Sequence, residues 1–313
     1  MTTMFGRSGS RQRSAVHPRR FTVLAVALWA SLADARPPVA DLNGLVSIAD
    51  GGPFTIIRGD GLWTGSPGVT LVAGDIIETG PGALVVIEMQ GGSLLGIGPS
   101  SEVYFLQRAD IATLVVLSGW LKADVRAKAS SGAMRVVGTR LGIQTQQGVE
   151  LLYADGQSDA IFDEQGSGTL LVRDDAATRI DRETRPNQFF IREGRSAVVL
   201  QPHPSVDFVS RMPVAFRDAL PEKASARLKK PSEPRVVRKV TYSDIESWLT
   251  LPRDWRAGFI ERFRARLHDP AFFSAMDAHL ALHREWVPIL HPPPRAPDRS
   301  PTGPQPGTVP TPY

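Results

Sequence analysis

Two histidines have the spacing in this sequence that most resembles a metal site. His279 and His283 lie four residues apart in a segment with helical periodicity, so both would project from one face of a helix. The three residues between them are Leu-Ala-Leu, without the glutamate that a zinc protease uses as its base. A metal would need further ligands, such as His268 or His291. Apolar residues share the same face, so core packing is the alternative interpretation.

Adjacent carboxylates are the other feature that could support catalysis. They occur at Asp163-Glu164 and Asp174-Asp175. Neighbouring residues of a strand point to opposite faces, so neither pair forms an acid/base dyad, and we interpret both as solvated turn residues. The sequence contains no G-x-S-x-G elbow, P-loop or dinucleotide fingerprint. We therefore expect a protein that is not an enzyme and has no cofactor.

The first 35 residues have the features of an export signal. A basic stretch precedes twelve mostly apolar residues at 21–32, and Ala33-Asp34-Ala35 follows as a cleavage site. A helix of twelve residues reaches only about 18 Å, which is too short to span a membrane. We predict a signal peptide at 1–35, cleavage after Ala35, a periplasmic location and no membrane span afterwards. An uncleaved anchor is the alternative.

Charge is distributed unevenly along the chain. Its net charge of +4 equals that of the signal alone, so the mature protein is neutral and nucleic-acid binding is not expected. Residues 36–209 have 14 basic and 20 acidic groups, whereas residues 210–313 have 17 basic and 11 acidic groups. The absence of cysteine excludes disulfides and thiolate metal sites.

Short apolar runs separated by turn residues fill positions 42–200. This pattern predicts a mainly β domain, a sandwich, roll or β-solenoid of many short strands, over residues 36–205. The run 83–89 is apolar on both faces and predicts a strand buried on both sides. Separate strands are predicted at 113–117, 121–125, 142–145, 149–154, 159–162 and 169–172, with a turn at 166–168.

One stretch of this region resembles a known family. The sequence "AGDIIETGPGALVVIEMQGGSLLGIGPSSEVYF" is similar to the core motif of FecR-type periplasmic domains, and "LSGWLKADV" and "MRVVGTRLGIQT" resemble later segments of that family. The resemblance covers about residues 44–163. The matching positions are Gly74, Asp75, Thr79, Gly80, Ser93, Gly98, Pro99, Ser101, Gly119, Gly138 and Thr139.

These residue types point to a scaffold. Glycine permits turns and close strand approach, and Asp75 and Thr79 can hydrogen-bond the backbone of a turn. The best-known family members regulate sigma factors through a cytoplasmic segment followed by a membrane helix. Only about twenty residues precede the apolar run here, so we expect a free-standing exported copy of the module without the anti-sigma segment.

The C-terminal part is predicted to contain three segments. Residues 206–240 are interpreted as a linker, basic and proline-broken at 221–239. Residues 241–287 predict three short amphipathic helices, the first starting with a capping box formed by Ser243 and Glu246. Residues 288–313 contain ten of the 26 prolines and predict a disordered tail.

Two function classes follow from these features. The first is a non-catalytic envelope module that binds a protein or a cell-wall glycan in the periplasm. The alternative is an accessory sensor for cell-surface signalling, which would reach a sigma factor through a separate membrane protein. The basic segment 221–239 could contact an anionic surface, or it could dock against the acidic β region of the same chain.

Overall fold

A computed structural model describes residues 42–108, 111–127, 132–174, 177–228 and 230–293. The predicted signal peptide lies outside these residues, as does most of the predicted proline-rich tail, from residue 294 onward. The tail prediction is wrong at its start, because residues 288–290 belong to a short helix and Leu290 is buried. The mainly β prediction is confirmed, since sixteen strands join one mixed sheet and the helices are short and mostly C-terminal. No helix within the described ranges is long and apolar enough to cross a membrane.

The strands are β1 (Gly44–Asp50), β2 (Phe54–Arg58), β3 (Gly61–Thr64), β4 (Thr70–Leu71), β5 (Ile76–Thr79), β6 (Leu84–Met89), β7 (Leu94–Ile97), β8 (Glu102–Arg108), β9 (Ile111–Val125), β10 (Met134–Val137), β11 (Leu141–Ala154), β12 (Ser158–Asp174), β13 (Ala177–Glu183), β14 (Gln188–Glu193), β15 (Val199–Gln201) and β16 (Arg235–Lys239). The α-helices are α1 (Val206–Arg211), α2 (Tyr242–Leu249), α3 (Phe259–Phe263), α4 (Pro270–Ala278) and α5 (Val287–Leu290). Single 3₁₀ turns connect several of them.

Three strands are much longer than the sequence predicts. The predicted strands 113–117 and 121–125 merge into β9, which contains Gly119 with a φ of +86° between them. In the same way, 142–145 and 149–154 merge into β11, and 159–162 and 169–172 merge into β12. Glycines and bulges interrupt the apolar alternation without ending the strands. Each of the three long strands therefore looks like two separate strands in the sequence.

The sheet has its central strand in β9. β9 pairs antiparallel with β7, β8 and β11 and in parallel with β10. The main path of the sheet runs β15-β14-β12-β11-β10-β9-β8-β5-β2-β3-β16, and β6 joins β1 to β7 beside it. Because β9 is long and pairs with several strands, one sheet can curve around a buried core.

Buried side chains form three clusters. The largest lies on one face of the sheet and includes Val46, Ile87, Phe105 and Phe190. The other face is covered twice, by the C-terminal helices over β2, β5 and β8, and by residues 208–220 over β9, β11 and β14. β6 is buried on nearly its whole length, as its two apolar faces predict. Most of the apolar strand residues therefore leave water completely.

Residues 206–240 differ from the predicted linker. Phe208, Met212, Phe216 and Leu220 are all buried against the sheet, beginning in α1. Residues 235–239 then form β16, which pairs antiparallel with β3. Apolar residues at every fourth position give this segment a face to bury, so it packs as part of the domain.

The helical region also differs in detail. Thr241 is the N-cap of α2, and its capping box uses Asp244 rather than the predicted Ser243 and Glu246. Asp269 is the N-cap of α4 and precedes Pro270. The region contains four short α-helices and intervening 3₁₀ turns rather than three helices, and its aromatic side chains fill the second cluster.

Candidate functional site

Asp75, the first polar residue of the motif that resembles the FecR family, is part of a buried ion pair. Its carboxylate is 1% exposed and accepts from Nε and Nη2 of Arg58 at 2.8 and 2.6 Å. The backbone N–H of Val72 donates to the same carboxylate at 2.9 Å. The pair therefore connects β2 to the turn before β5, and both carboxylate oxygens are used within the chain.

Gly74 links this turn to the C-terminal helices. Arg262 of α3 donates to the carbonyls of Ile57, Gly59 and Gly74 at 2.5, 2.7 and 2.6 Å. Burial lowers the pKa of this guanidinium from its ordinary value, and three carbonyl acceptors compensate its desolvation. The turn at Gly74 thus accepts a hydrogen bond from a side chain of the same protein.

Thr79 and Ser101 connect the next part of the motif. The Thr79 hydroxyl donates to the Gly98 carbonyl at 2.7 Å and accepts from the Ser101 N–H at 2.8 Å. The Ser101 hydroxyl accepts from the N–H of Trp120 at 2.8 Å. A Cβ on Gly119 would lie 2.2 Å from Ser101 Oγ, so only glycine fits opposite this serine. Each group bonds within the chain and bridges separate strands.

Most of the remaining motif residues also contact other groups of the same chain. The N–H of Gly80 donates to the carbonyl of Pro53, and Ser93 Oγ accepts from a backbone N–H. The carbonyl of Pro99 accepts from the Ser101 hydroxyl. A Cβ on Gly138 would lie 2.4 Å from the Asp159 carboxylate. Thr139 is different because it lines a cavity, where its hydroxyl accepts from Arg140 at 2.7 Å.

The two histidines do not lie together on one helix. α4 ends at Ala278, so His279 is its C-cap and His283 belongs to the following turn. His279 is exposed and stacks on Tyr242, whereas His283 is fully buried and its Nε2 lies 3.1 Å from the carbonyl of Met276. Burial lowers the pKa of His283 from its ordinary value. Within the described ranges no group of three or more His, Cys, Asp or Glu could hold a metal.

Asp163 and Glu164 lie inside β12 and not in a turn, which corrects the solvated-turn interpretation. They point to opposite faces, as neighbouring strand residues should. Asp163 is fully buried and accepts from the Thr184 hydroxyl at 2.6 Å. Glu164 accepts from the ammonium of Lys122 at 2.8 Å. Asp174 is exposed at the end of β12, and its neighbour at position 175 lies outside the described residues.

A polar groove lies where β11 and β12 are both irregular. The pairing of these strands shifts register between Thr145 and Gly148. The Thr145 hydroxyl stabilises this bulge by donating to the carbonyls of Gln147 and Ser167 at 3.0 and 3.1 Å. A Cβ on Gly166 would lie 2.5 Å from the Gln147 carbonyl, so the strands approach closely here. The bulge turns Gln146 and Gln147 out to solvent.

The groove encloses about 1010 Å³, within the range of ligand-binding clefts. Amide and hydroxyl side chains dominate its lining, together with the charged residues Asp124, Arg126 and Glu183. The amides and hydroxyls are those of Gln144, Thr145, Gln146, Gln147, Gln165, Ser167 and Thr169. Amides both donate and accept hydrogen bonds, as sugar hydroxyls do. None of the described lining residues is aromatic, and they include no histidine, cysteine or lysine that could activate a nucleophile.

Two carboxyls lie buried near this groove. Glu150 of β11 is directly opposite Asp163 of β12 and is 1% exposed. Neither oxygen of Glu150 has a hydrogen-bond partner among the described residues. Burial, followed by the charge of Asp163, raises the pKa of Glu150 well above its ordinary value. Burial likewise raises the pKa of Asp163. Neither carboxyl is among the described residues that line the groove.

The basic segment 221–239 makes several contacts inside the chain. Lys239 donates to both oxygens of Asp60 at 2.6 and 2.8 Å, and Arg238 pairs with Asp244. Ser225 donates to Glu88 through its backbone N–H at 2.9 Å and also through its hydroxyl. These contacts support intramolecular docking of the segment. Binding to an anionic surface stays a prediction.

Comparison with known proteins gives only remote matches. No family model matches the chain, and no curated protein matches it. Two crystal structures of a "putative anti-sigma factor" from Parabacteroides distasonis, at 2.50 and 1.65 Å resolution, are similar at 10% sequence identity and a TM-score of 0.35. Each match covers 41% of this chain and 59% of the other, so the chain spans less than two thirds of that protein. This likeness assigns no function.

Sequence reasoning did not identify the groove, although its signal was present. The stretches "QTQQGVE" and "EQGSGT" break the apolar alternation with amides and glycines at 144–150 and 164–169. They were interpreted as the ends of separate strands. Their proximity depends on the pairing of β11 with β12, which the sequence pattern does not reveal.

Proposed function

We propose that this protein is a non-catalytic, exported envelope module that binds a cell-wall glycan in the groove beside the β11 bulge. One observation carries the proposal, namely a large open groove in which most of the polar side chains of the lining are amides and hydroxyls. Such groups can hydrogen-bond the many hydroxyls of a polysaccharide.

The backbone of the bulge is held in place, so the groove is a preformed binding site. Thr145 is 2% exposed and its hydroxyl bonds to the bulge from within, so the positions of Gln146 and Gln147 are defined before a ligand arrives. A preformed site loses less conformational entropy when it binds. Export by the signal at 1–35 would bring the groove to the compartment in which cell-wall glycan is found.

The test is a binding assay with purified protein and insoluble cell-wall glycan, followed by titration with soluble glycan fragments. The double variant Gln146→Ala/Gln147→Ala should weaken binding by about tenfold or more, because it removes amide hydrogen bonds worth about 1 kcal/mol each. Gln157→Ala is the matched control, since Gln157 is an exposed glutamine in a turn outside the groove. The control should bind like the wild type.

Two results would contradict the proposal. Equal binding by the double variant and the wild type would remove the groove from recognition. Release of soluble fragments from the glycan by wild-type protein would show a catalytic activity. Capture of an anti-sigma membrane protein or a receptor, with no glycan binding, would instead favour the signalling alternative.

A further inference from the structure

His283 is the only fully buried histidine in the described part of the chain, and the proposed glycan groove does not use it. Its ring centroid lies 6.0 Å from that of Tyr242, the first residue of α2. Its Nε2 lies 3.1 Å from the carbonyl of Met276 in the last turn of α4. His283 therefore holds the chain that follows α4 against two helices at once.

The hydrogen bonds of His283 show which nitrogen carries the proton. A carbonyl can only accept, so Nε2 donates its N–H to Met276 and Nδ1 has the free lone pair. Nδ1 is buried without a partner among the described residues, and so is the hydroxyl oxygen of Tyr242. A second proton would therefore go to Nδ1, and it would place a charged N–H where the described residues provide no acceptor.

The charged groups around His283 do not compensate a positive charge on its ring. Glu285 of the following turn favours the protonated form, but this carboxylate is already paired with Arg256, which lies between α2 and α3. Arg256 and His279 both disfavour protonation. From α2 the titratable group is Tyr242, whose pKa burial raises to about 12, so it stays neutral. Burial is the largest effect on His283 and lowers its pKa from the ordinary value.

Residues 280–293, which we call the terminal segment, have little structure of their own. They form two 3₁₀ turns and the four-residue helix α5, and elements this short do not persist without packing. The buried side chains of the segment are His283, Trp286 and Leu290. Of these three, only His283 can change its charge. The packing of the terminal segment should thus depend on the protonation of one ring.

We propose that His283 is a pH-sensitive switch, which releases the terminal segment from α2 and α4 in acid while the sheet stays folded. The neutral ring fits its buried place, whereas the protonated ring is more stable in water. Release would uncover apolar surface of the two helices around Tyr242 and Met276, both buried at neutral pH. The proposal is independent of the glycan groove, because none of these residues lines it.

Hydrogen exchange of the full protein tests the proposal, at pH 7.5 and pH 5.0 and with correction for the intrinsic exchange rate at each pH. The imidazole of a released segment has the ordinary pKa of about 6.5, so release becomes easier as the pH falls below that value. Protection of the terminal segment should fall several-fold at pH 5.0. The ceiling is about thirtyfold, because pH 5.0 lies about 1.5 units below the ordinary pKa. Strands β9 and β11 should keep their protection.

Substitutions separate protonation from packing. In His283→Gln the amide can still donate to the Met276 carbonyl but cannot take a proton, so protection of the terminal segment should be equal at both pH values. His283→Phe is a second uncharged variant, with a ring. His279→Gln is the matched control, since His279 is exposed, and it should retain the fall in protection. His291→Gln removes an exposed contact of 2.6 Å with Asp277 and should retain it too.

NMR titration of the histidine rings in the wild type answers the same question without a substitution. His283 should titrate below the ordinary pKa of about 6.5. If both His283 variants leave the terminal segment unprotected at pH 7.5, this titration decides alone. A pKa of His283 at or above the ordinary value would overturn the proposal. So would a pH response that both variants retain, or an equal loss of protection in β9 and β11, which would indicate global unfolding in acid.

Discussion

Polar side chains have opposite surroundings at the motif turns around Asp75 and at the groove around Gln146. At the motif, the side chains of Asp75, Thr79 and Ser101 bond to other parts of the same chain. At the groove, Gln146 and Gln147 project into solvent, while nearby Glu150 is buried and has no hydrogen-bond partner for either oxygen among the described residues. The most recognisable residues therefore hold the domain together, and less distinctive residues offer a surface to a ligand.

This difference has a physical origin. A polar group inside a protein must find a partner, and at the motif the partners are backbone groups of neighbouring strands. A binding surface needs the reverse, since its donors and acceptors must stay available for a ligand. Substitutions at the motif should thus affect stability, and substitutions in the groove should affect binding.

The largest effect on stability is expected for Gly119→Ala. Gly119 has a φ of +86°, and an added Cβ would lie 2.2 Å from Ser101 Oγ. The left-handed backbone costs about 1–2 kcal/mol and overpacking about 1–3 kcal/mol more, so we expect a loss of about 3 kcal/mol. Chemical denaturation measures the free energy of unfolding.

Gly156→Ala is the control that separates the two costs. Gly156 has a similar φ of +81°, but no atom lies within 4 Å of its added Cβ. It should lose only the backbone contribution of about 1–2 kcal/mol. If Gly119→Ala cost no more than Gly156→Ala, the close contact with Ser101 would not constrain the fold.

Asp75→Ala should give the second largest effect. The change removes a carboxylate that is 1% exposed and leaves Arg58 and the Val72 N–H without their acceptor. We expect a loss of about 2–3 kcal/mol in the free energy of unfolding, somewhat below the value for a fully buried pair because Arg58 is partly exposed. Asp207→Ala breaks an exposed i,i+4 pair with Arg211 and should cost about 0.5 kcal/mol. Equal losses for the two variants would show that Asp75 contributes no more to the stability of the fold than a surface aspartate does.

Glu150→Gln should stabilise the protein in a pH-dependent way. Because its pKa in the folded protein lies well above the ordinary value of 4.5, folding favours the protonated form. The stability linked to this proton is complete below about pH 4.5 and is lost as the pH rises toward the folded pKa. Glutamine has no proton to lose, so the advantage of the variant over wild type should grow as the pH rises from about 4.5 toward the raised pKa.

Unfolding free energies of wild type and Glu150→Gln at pH 5 and pH 8 check this expectation. The advantage of the variant should be larger at pH 8. Glu193→Gln, at an exposed glutamate, should show the same small difference at both values. An advantage of Glu150→Gln that did not grow with pH would mean that the buried carboxyl finds a partner on ionisation.

Much of the fold can be predicted from the sequence, because alternating apolar residues identify strands wherever the chain is regular. The predictions failed where it is irregular, at Gly119 and at the bulge after Thr145, since a break in alternation looks the same for a turn and for a bulge. The packing of 208–220 could have been predicted from the regular spacing of Phe208, Met212, Phe216 and Leu220.

Less of the candidate site than of the fold can be predicted from the sequence. The glutamines of the groove come from two consecutive strands, and only the register of their pairing brings them together. The docking of Arg262 onto Gly74 joins positions 188 residues apart. Motif residues could be predicted because their roles depend on local turns, whereas these contacts depend on tertiary structure.

The smallest effect on stability is expected for the groove variant Gln146→Ala/Gln147→Ala. Both side chains are exposed, and the bulge itself is stabilised by Thr145, so the free energy of unfolding should change by less than about 0.5 kcal/mol. Thr145→Val should instead destabilise the bulge by about 1–3 kcal/mol, because it leaves buried backbone groups without the hydroxyl. Calorimetry of both variants, alongside the glycan titration, separates recognition from folding. A groove variant that lost stability as well as binding would place Gln146 and Gln147 with the scaffold, and the contrast between the two regions would disappear.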